Sequence, residues 1–198
     1  WAAVSFVGSA ENSSSPTADT TVDLSTISLQ QGDLVIVAGA IGDDDGVDHD
    51  LVLVGATGYT EVTDLFADDT DDTNLAVWWK IMDTTPDPSV VVDGLGGNDA
   101  SLAVVVMAFR GVDQGTPFDV ISTTATGLNT ADPNPPSIDH NNPSGVWTVI
   151  AGASGHVLGG AGTYTFPTGY TTNAIDRDHD DTNDITVGMG YRSSGVLD

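Results

Sequence analysis

The hydrophobic residues of this chain fall in short runs, each bounded by clusters of Gly, Pro, Asp and Ser. Runs of this length between turn-forming clusters are typical of β-strands. No window shows apolar residues at a sustained 3.6-residue period with capping residues at its ends, so we expect no long helix. The pattern predicts strands at residues 2–7, 21–24, 34–40, 51–54, 75–82, 90–92, 102–109, 146–151 and 185–191.

Several of these runs are continuously apolar, and residues 34–38 (LVIVA) are the clearest case. A strand with one face in water alternates apolar and polar residues, whereas a strand covered on both faces does not. We therefore expect such strands in the centre of two packed sheets, or with one face against another subunit.

Three segments occur twice in the same order. The sequence TGYT at 57–60 recurs at 168–171, DDTN at 71–74 recurs at 180–183, and 35–40 resembles 148–153. A nearly constant offset indicates an internal repeat. We interpret residues 1–198 as a single domain, an all-β, antiparallel, jelly-roll-like sandwich built from two sequence-related halves. Two small tandem sandwiches are the alternative, but a Gly-rich half of this size would be marginally stable alone.

The halves cover approximately residues 21–122 and 137–198, and residues 123–144 join them. This connector carries Pro133, Pro135, Pro136 and Pro143 with polar residues between them. Such a composition predicts an irregular segment on the surface.

Charge and composition restrict the classes of partner. The chain has 29 acidic residues, 4 basic residues and a net charge of −25. Nucleic acids and anionic membranes are therefore not expected partners, because both bind through Lys and Arg. There is no Cys and no apolar run long enough to span a membrane, so we expect neither a disulfide framework nor a membrane span.

The acidic residues are concentrated in loops, and residues 43–50 (DDDGVDHD) place carboxylates around a glycine turn. Calcium binds oxygen ligands, and a glycine lets neighbouring carboxylates converge. We predict a Ca²⁺ site here, with a related one in the acidic segment 176–181. A solvated acidic surface, such as an adaptation to high salt, is the alternative. The predicted metal ligands are Asp43, Asp45, Asp48, Asp50, Asp178 and Asp180.

No arrangement of side chains indicates catalysis. The four histidines are scattered singly, without the spacing of zinc enzymes. The segment 152–156 (GASGH) does not match a nucleophile elbow, because its second glycine is displaced. Carboxylate pairs lie in Gly-rich turns rather than in apolar pockets that would raise a catalytic pKa. We therefore predict that the chain is not an enzyme.

The N-terminal segment 1–7 is predicted to be an assembly strand. The second half ends without counterparts of strands 90–92 and 102–109, and segment 1–7 has the composition to replace the latter. Its apolar residues Trp1, Val4 and Phe6 would bury themselves either in the same chain or in a neighbour. A flexible stretch at 9–20 would allow both arrangements.

Trp78 and Trp79 are adjacent in a predicted strand, so their rings face opposite sides. We expect one ring in the core and the other in core or interface packing, with stacking on a sugar as the alternative.

The segment 109–119 (FRGVDQGTPFD) resembles a recurrent signature of uncharacterised phage structural proteins and related bacterial surface proteins. The motifs GDLV at 32–35 and WK at 79–80 fit the same pattern, and the similarity spans most of the chain. The resemblance implies a β-sandwich on the outside of a particle and supplies no catalytic residues. Within the signature we expect Arg110 and Asp113 to form a local, turn-stabilising pair.

These observations predict a non-enzymatic, calcium-stabilised structural subunit at a virion surface, as a decoration or tail-associated protein that binds copies of itself and other virion proteins. The first alternative is a secreted filament or adhesin subunit of a prokaryotic cell surface, assembled by strand donation. Trp1 as the first residue is expected either after removal of a leader, which favours that extracellular interpretation, or in a fragment of a longer chain. A calcium-dependent carbohydrate-binding module with a glycan partner is the third.

Overall fold

The computed structural model describes residues 3–14, 19–68, 72–93, 101–127, 135–139, 145–157, 165–170, 175–179 and 183–193, with only the backbone described at 156–157, 175–179 and 183. Every regular element in these ranges is a β-strand. The strands are β1 (Ser5–Ser14), β2 (Thr20–Asp23), β3 (Leu34–Asp43), β4 (Val52–Leu53), β5 (Thr60–Ala67), β6 (Asp72–Ile81), β7 (Ser89–Asp93), β8 (Ser101–Arg110), β9 (Trp147–Val157), β10 (Ile175–His179) and β11 (Asn183–Ser193).

The strands form three antiparallel sheets, which confirms the all-β, antiparallel prediction. A central sheet has the order β1-β8-β3-β6-β5. The first outer sheet has the order β2-β7-β4, and the second outer sheet has the order β10-β11-β9. No helix in the described ranges is long and apolar enough to cross a membrane.

The central sheet is covered on both faces, which explains its continuously apolar strands. One face, with Val37 and Trp78, packs against residues such as Val92 of the first outer sheet. The opposite face, with Ile36, packs against Ile185 and other residues of the second outer sheet. All ten residues of β3 are buried. Alternate residues of one strand thus enter two different cores within the same chain.

Three strands of each predicted half lie in the same order, and the two-half organisation itself stays a prediction. The central sheet contains β3-β6-β5, and the second outer sheet contains β9-β11-β10 in the corresponding positions. The repeated segments 35–40 and 148–153 lie in β3 and β9 respectively. Jelly-roll connectivity and a common origin of the halves stay predictions. Residues 128–134 and 140–144 of the predicted connector lie outside the described residues, and its described residues contain no strand.

Strand β1 pairs within its own chain, along the outer edge of β8, from Ser5 opposite Arg110 to Ser14 opposite Leu102. The prediction that this segment replaces the missing strand of the second half is therefore wrong in its pairing partner. The predicted flexible stretch at 9–20 is also partly wrong, because β1 continues to residue 14.

The side chains of β1 nevertheless reach the second outer sheet. Val4 and Phe6 are partly buried and pack against the core between the central and second outer sheets. The Phe6 ring stacks on Tyr191 with 4.8 Å between ring centroids. Trp1 lies outside the described residues. In this structure the segment contributes to the packing of its own subunit.

The predicted pair between Arg110 and Asp113 is also wrong. Arg110 Nε and Nη2 each donate to the Asp33 carboxylate at 2.8 Å, and Nη2 also donates to the Ser28 carbonyl oxygen. The Asp113 carboxylate instead accepts from the backbone amide of Gly115. Two parts of the signature, GDLV and FRGVD, are thus joined in space by one ion pair.

Candidate metal centre

The floor of the candidate site is one end of the central sheet. Asp43, the last residue of β3, lies opposite Asp72, the first residue of β6. Directly opposed residues of an antiparallel pair point to the same face, and Asn74 shares that face because it is two positions along the strand. Asp43, Asp72 and Asn74 are only 3%, 1% and 0% exposed. Three polar side chains are therefore buried side by side.

The loop that follows β3 lies over this floor. Gly46 has a φ of 71°, a left-handed conformation that turns the chain back. Its amide donates a hydrogen bond to Asp72 Oδ2. Asn74 Nδ2 donates to Asp48 Oδ1 at 2.7 Å. The floor thus holds the loop at two points.

This arrangement brings three potential metal ligands together. His49 Nε2 lies 3.2 Å from Asp43 Oδ2 and 3.2 Å from Asp45 Oδ2. One ligand atom from each of the three residues lies within 4.8 Å of the other two. This cluster of Asp43, Asp45 and His49 can hold a metal ion.

The surroundings of Asp43 disfavour an ionised carboxylate that has no cation bound to it. Burial first, and then the charge of Asp45, raise the pKa of Asp43 to about 6, with His49 opposing the rise. Both Asp43 carboxylate oxygens are buried without a hydrogen-bond partner, as is Asn74 Oδ1. A bound cation would supply what these oxygens lack, because buried charges require compensation.

The structure brings two of the predicted ligands of the first loop together and places the other two outside the cluster. Asp43 and Asp45 lie in the cluster. Asp48 and Asp50 lie outside it and act on Asp64, whose pKa is raised to about 6 by burial first and then by Asp48, Glu61 and Asp50.

The second predicted metal site is not defined by the structure. Asp178 belongs to β10 rather than to a loop, and only its backbone is described. Asp180 lies outside the described residues.

Sequence reasoning missed His49 as a ligand. The spacing of the four histidines relative to one another does not reveal it, because the partners of His49 are carboxylates. Its spacing of four residues from Asp45, across the glycine turn at Gly46, is the signal that identifies it.

The adjacent tryptophans face opposite sides, as predicted. Trp78 is buried in the core beneath the first outer sheet. Trp79 packs beside the other core and meets Phe118 edge-on, with 5.2 Å between ring centroids. Both rings therefore contribute to packing.

The family, curated-protein and solved-structure comparisons give no further indication of function. No known protein family, curated protein or solved structure matches this chain. Its function has to be inferred from its own residues and their geometry.

Proposed function

We propose that the chain is a non-enzymatic structural subunit on the outside of a phage particle, as a decoration or tail-associated protein. In this proposal it assembles with copies of itself and is stabilised by a bound cation. The observation that supports self-assembly is the outer edge of β9. An exposed, long and uncharged edge strand is a template for pairing with another chain.

The other outer strands have features that oppose such pairing. β2 and β4 have only four and two residues. β5 contains a bulge between Glu61 and Thr63 and also carries the acidic Asp64. β1 carries Glu11, and β10 has the sequence IDRDH. Short length, bulges and charges all protect sheet edges.

β9 lacks these protections, and one of its backbone amides, that of Gly155, donates to Thr73 Oγ1 at 2.7 Å. It has eleven residues, WTVIAGASGHV, with no Asp, Glu, Lys or Arg. Among the described residues it pairs with β11 alone, so its second edge has no strand partner there. A strand from a neighbouring subunit can extend the second outer sheet at this edge.

A cation would support assembly as well as the fold. A net charge of −25 makes copies of the chain repel one another, and bound or screening cations reduce that repulsion. Calcium, predicted from the carboxylates of the loop, is one candidate ion for Asp43 and Asp45.

The resemblance of the 109–119 signature to phage structural proteins favours a virion surface as the location. A secreted filament or adhesin subunit is the second candidate, because the same β9 edge would serve strand donation there. Electron microscopy of the native source distinguishes the two by showing particles or long cell-surface fibres. No contact among the described residues favours a carbohydrate-binding module.

Self-assembly is tested with a charge on the β9 edge. Ser154 is exposed on this strand, and Ser122 is an exposed residue outside the strands. We expect Ser154→Lys to weaken self-association at least tenfold in sedimentation or light-scattering measurements, whereas the control Ser122→Lys assembles like the parent. A parent chain that stays monomeric, or two variants that assemble equally well, would contradict the proposal.

A further inference from the structure

The Asp43–Asp45–His49 cluster lacks a countercharge from Lys or Arg among the side chains described around it. Lys80 is held by Asp87 at 2.8 Å, and Arg110 is held by Asp33. His49 is the basic side chain that contacts Asp43 and Asp45. In its neutral form, an imidazole is a metal ligand rather than a countercharge.

The floor of the site also presents acceptors without donors. Both oxygens of Asp43 and the Oδ1 atom of Asn74 are buried without hydrogen-bond partners. Buried acceptors that lack well-formed hydrogen bonds cost free energy in a native protein, even though His49 Nε2 lies 3.2 Å from Asp43 Oδ2. A cation bound to Asp43 would remove the part of this cost that belongs to its carboxylate, because it supplies the missing positive charge.

We propose that Asp43, Asp45 and His49 bind a first-row transition ion of the zinc type rather than calcium. The inference rests on the cation part of the proposed function and is independent of self-assembly. Calcium takes about six to eight oxygen ligands, whereas imidazole nitrogen is a characteristic ligand of zinc. The two further carboxylates needed for a calcium loop, Asp48 and Asp50, lie outside the cluster.

Two of the three distances between the ligand atoms fit this ion, and the third, between the Asp43 and Asp45 oxygens, lies within 4.8 Å. In a tetrahedral site with bonds of about 2.0 Å, neighbouring ligand atoms lie about 3.3 Å apart. His49 Nε2 lies 3.2 Å from each of the two carboxylate oxygens. Three protein ligands leave a fourth position for a water molecule, as in other open zinc sites.

The loop is held in place by residues that do not ligate the ion. Asp72 accepts the amide of Gly46, and Asn74 donates to Asp48, so the loop is anchored on both sides of its turn. These contacts place Asp45 and His49 over Asp43 before any ion arrives. Preorganisation of this kind lowers the entropic cost of binding.

The test uses the full chain, stripped of metal with a chelator and titrated calorimetrically with Zn²⁺, Ca²⁺ or Co²⁺. We expect one equivalent of Zn²⁺ to bind at least 100-fold more tightly than Ca²⁺. Bound Co²⁺ should show the intense visible absorption of a tetrahedral site. His49→Gln should weaken Zn²⁺ binding at least 100-fold, and the matched control His140→Gln should bind like the parent.

Two results would overturn the inference. If Ca²⁺ binds the parent as tightly as Zn²⁺ does, or if Zn²⁺ binds equally to the parent and to a folded His49→Gln, His49 is not a ligand that selects the ion. If neither ion binds the parent chain, His49 only hydrogen-bonds to Asp45 and lies beside Asp43. The parent titration and the Co²⁺ spectrum decide the matter even if the variant does not fold. Light scattering reports self-assembly separately, so the two proposals can fail independently.

Discussion

The ion pair between Arg110 and Asp33 offers the sharpest test of the central sheet, because it joins the end of β8 to the residue before β3. Asp33 is only 1% exposed, and apart from Arg110 its carboxylate accepts a hydrogen bond from the backbone amide of Gln30. Arg110→Met would therefore leave a buried carboxylate without its charged partner. Breaking a buried pair in this way costs about 3 to 5 kcal/mol.

We expect a cost of about 3 kcal/mol, the lower end of that range, because the Arg110 side chain is 39% exposed. For a chain of 198 residues this corresponds to a fall in Tm of about 6 to 12 °C. Urea denaturation at pH 7 measures the free energy of unfolding directly. Arg110→Lys should give a smaller loss, because it keeps the charge but not the two-pronged contact.

A double-mutant cycle separates the pair from other effects of the substitution. Asp33→Asn alone should cost about 1 to 2 kcal/mol, because Arg110 can turn towards water. The double variant should be more stable than the sum of the single losses predicts, by at least about 1 kcal/mol. Additive losses, or a loss below about 1 kcal/mol for Arg110→Met, would show that the contact behaves as an ordinary surface ion pair.

Three further outcomes follow from the packing and the charges. In Gly42→Ala the new Cβ would lie 2.9 Å from the backbone oxygen of Asp184, so we expect a loss of about 1 to 3 kcal/mol in urea denaturation. In the control Gly39→Ala, the new Cβ would lie 3.4 Å from its nearest neighbours, which is an ordinary contact. An equal loss of stability in the two variants would contradict the close approach of β3 and β11. Because its pKa is raised to about 6 in the folded state, Asp64 should lower the free energy of unfolding as the pH rises from about 4 through 6. Asp64→Asn should weaken this dependence, leaving the part due to Asp43, and should stabilise the fold at pH 7 by about 1 to 2 kcal/mol after allowance for solvent screening. Denaturation at pH 4.5 and at pH 7 measures the dependence, and an unchanged dependence in the variant would contradict the prediction. Deleting residues 1–8 should lower the Tm of each subunit, because β1 pairs with β8 in the same chain, and an unchanged melting curve would count against that pairing.

The sequence predicted the interior strands well because burial on both faces leaves a plain signal. The apolar runs at 34–40, 75–82 and 102–109 all lie in the central sheet. The sequence pattern does not predict strands β5 and β10, because β5 opens with the partly polar residues TEVTD and β10 has the charged sequence IDRDH. Outer strands need little apolar surface, so their composition does not distinguish them from loops.

The candidate site was partly predictable for a related reason. Asp43 and Asp45 are close in sequence to the glycine turn, and local spacing was enough to identify them. The floor formed by Asp72 and Asn74 depends on the register between β3 and β6, which single-sequence patterns do not show. The Arg110 contact with Asp33 spans 77 residues and depends in the same way on strand pairing.

Because the central sheet is buried on both faces, its strands should be protected from hydrogen exchange more strongly than the strands of the outer sheets. Backbone amides of β3 and β8 should exchange with deuterium only when the whole domain unfolds, whereas those of β9 and β11 can exchange when the second outer sheet detaches. Detachment of the second outer sheet would expose to solvent the apolar face of the central sheet that carries Ile36, Val105 and Met107. A net charge of −25 keeps such opened molecules apart at low ionic strength. Salt should therefore promote aggregation through the opened form, even where it leaves the native fold intact.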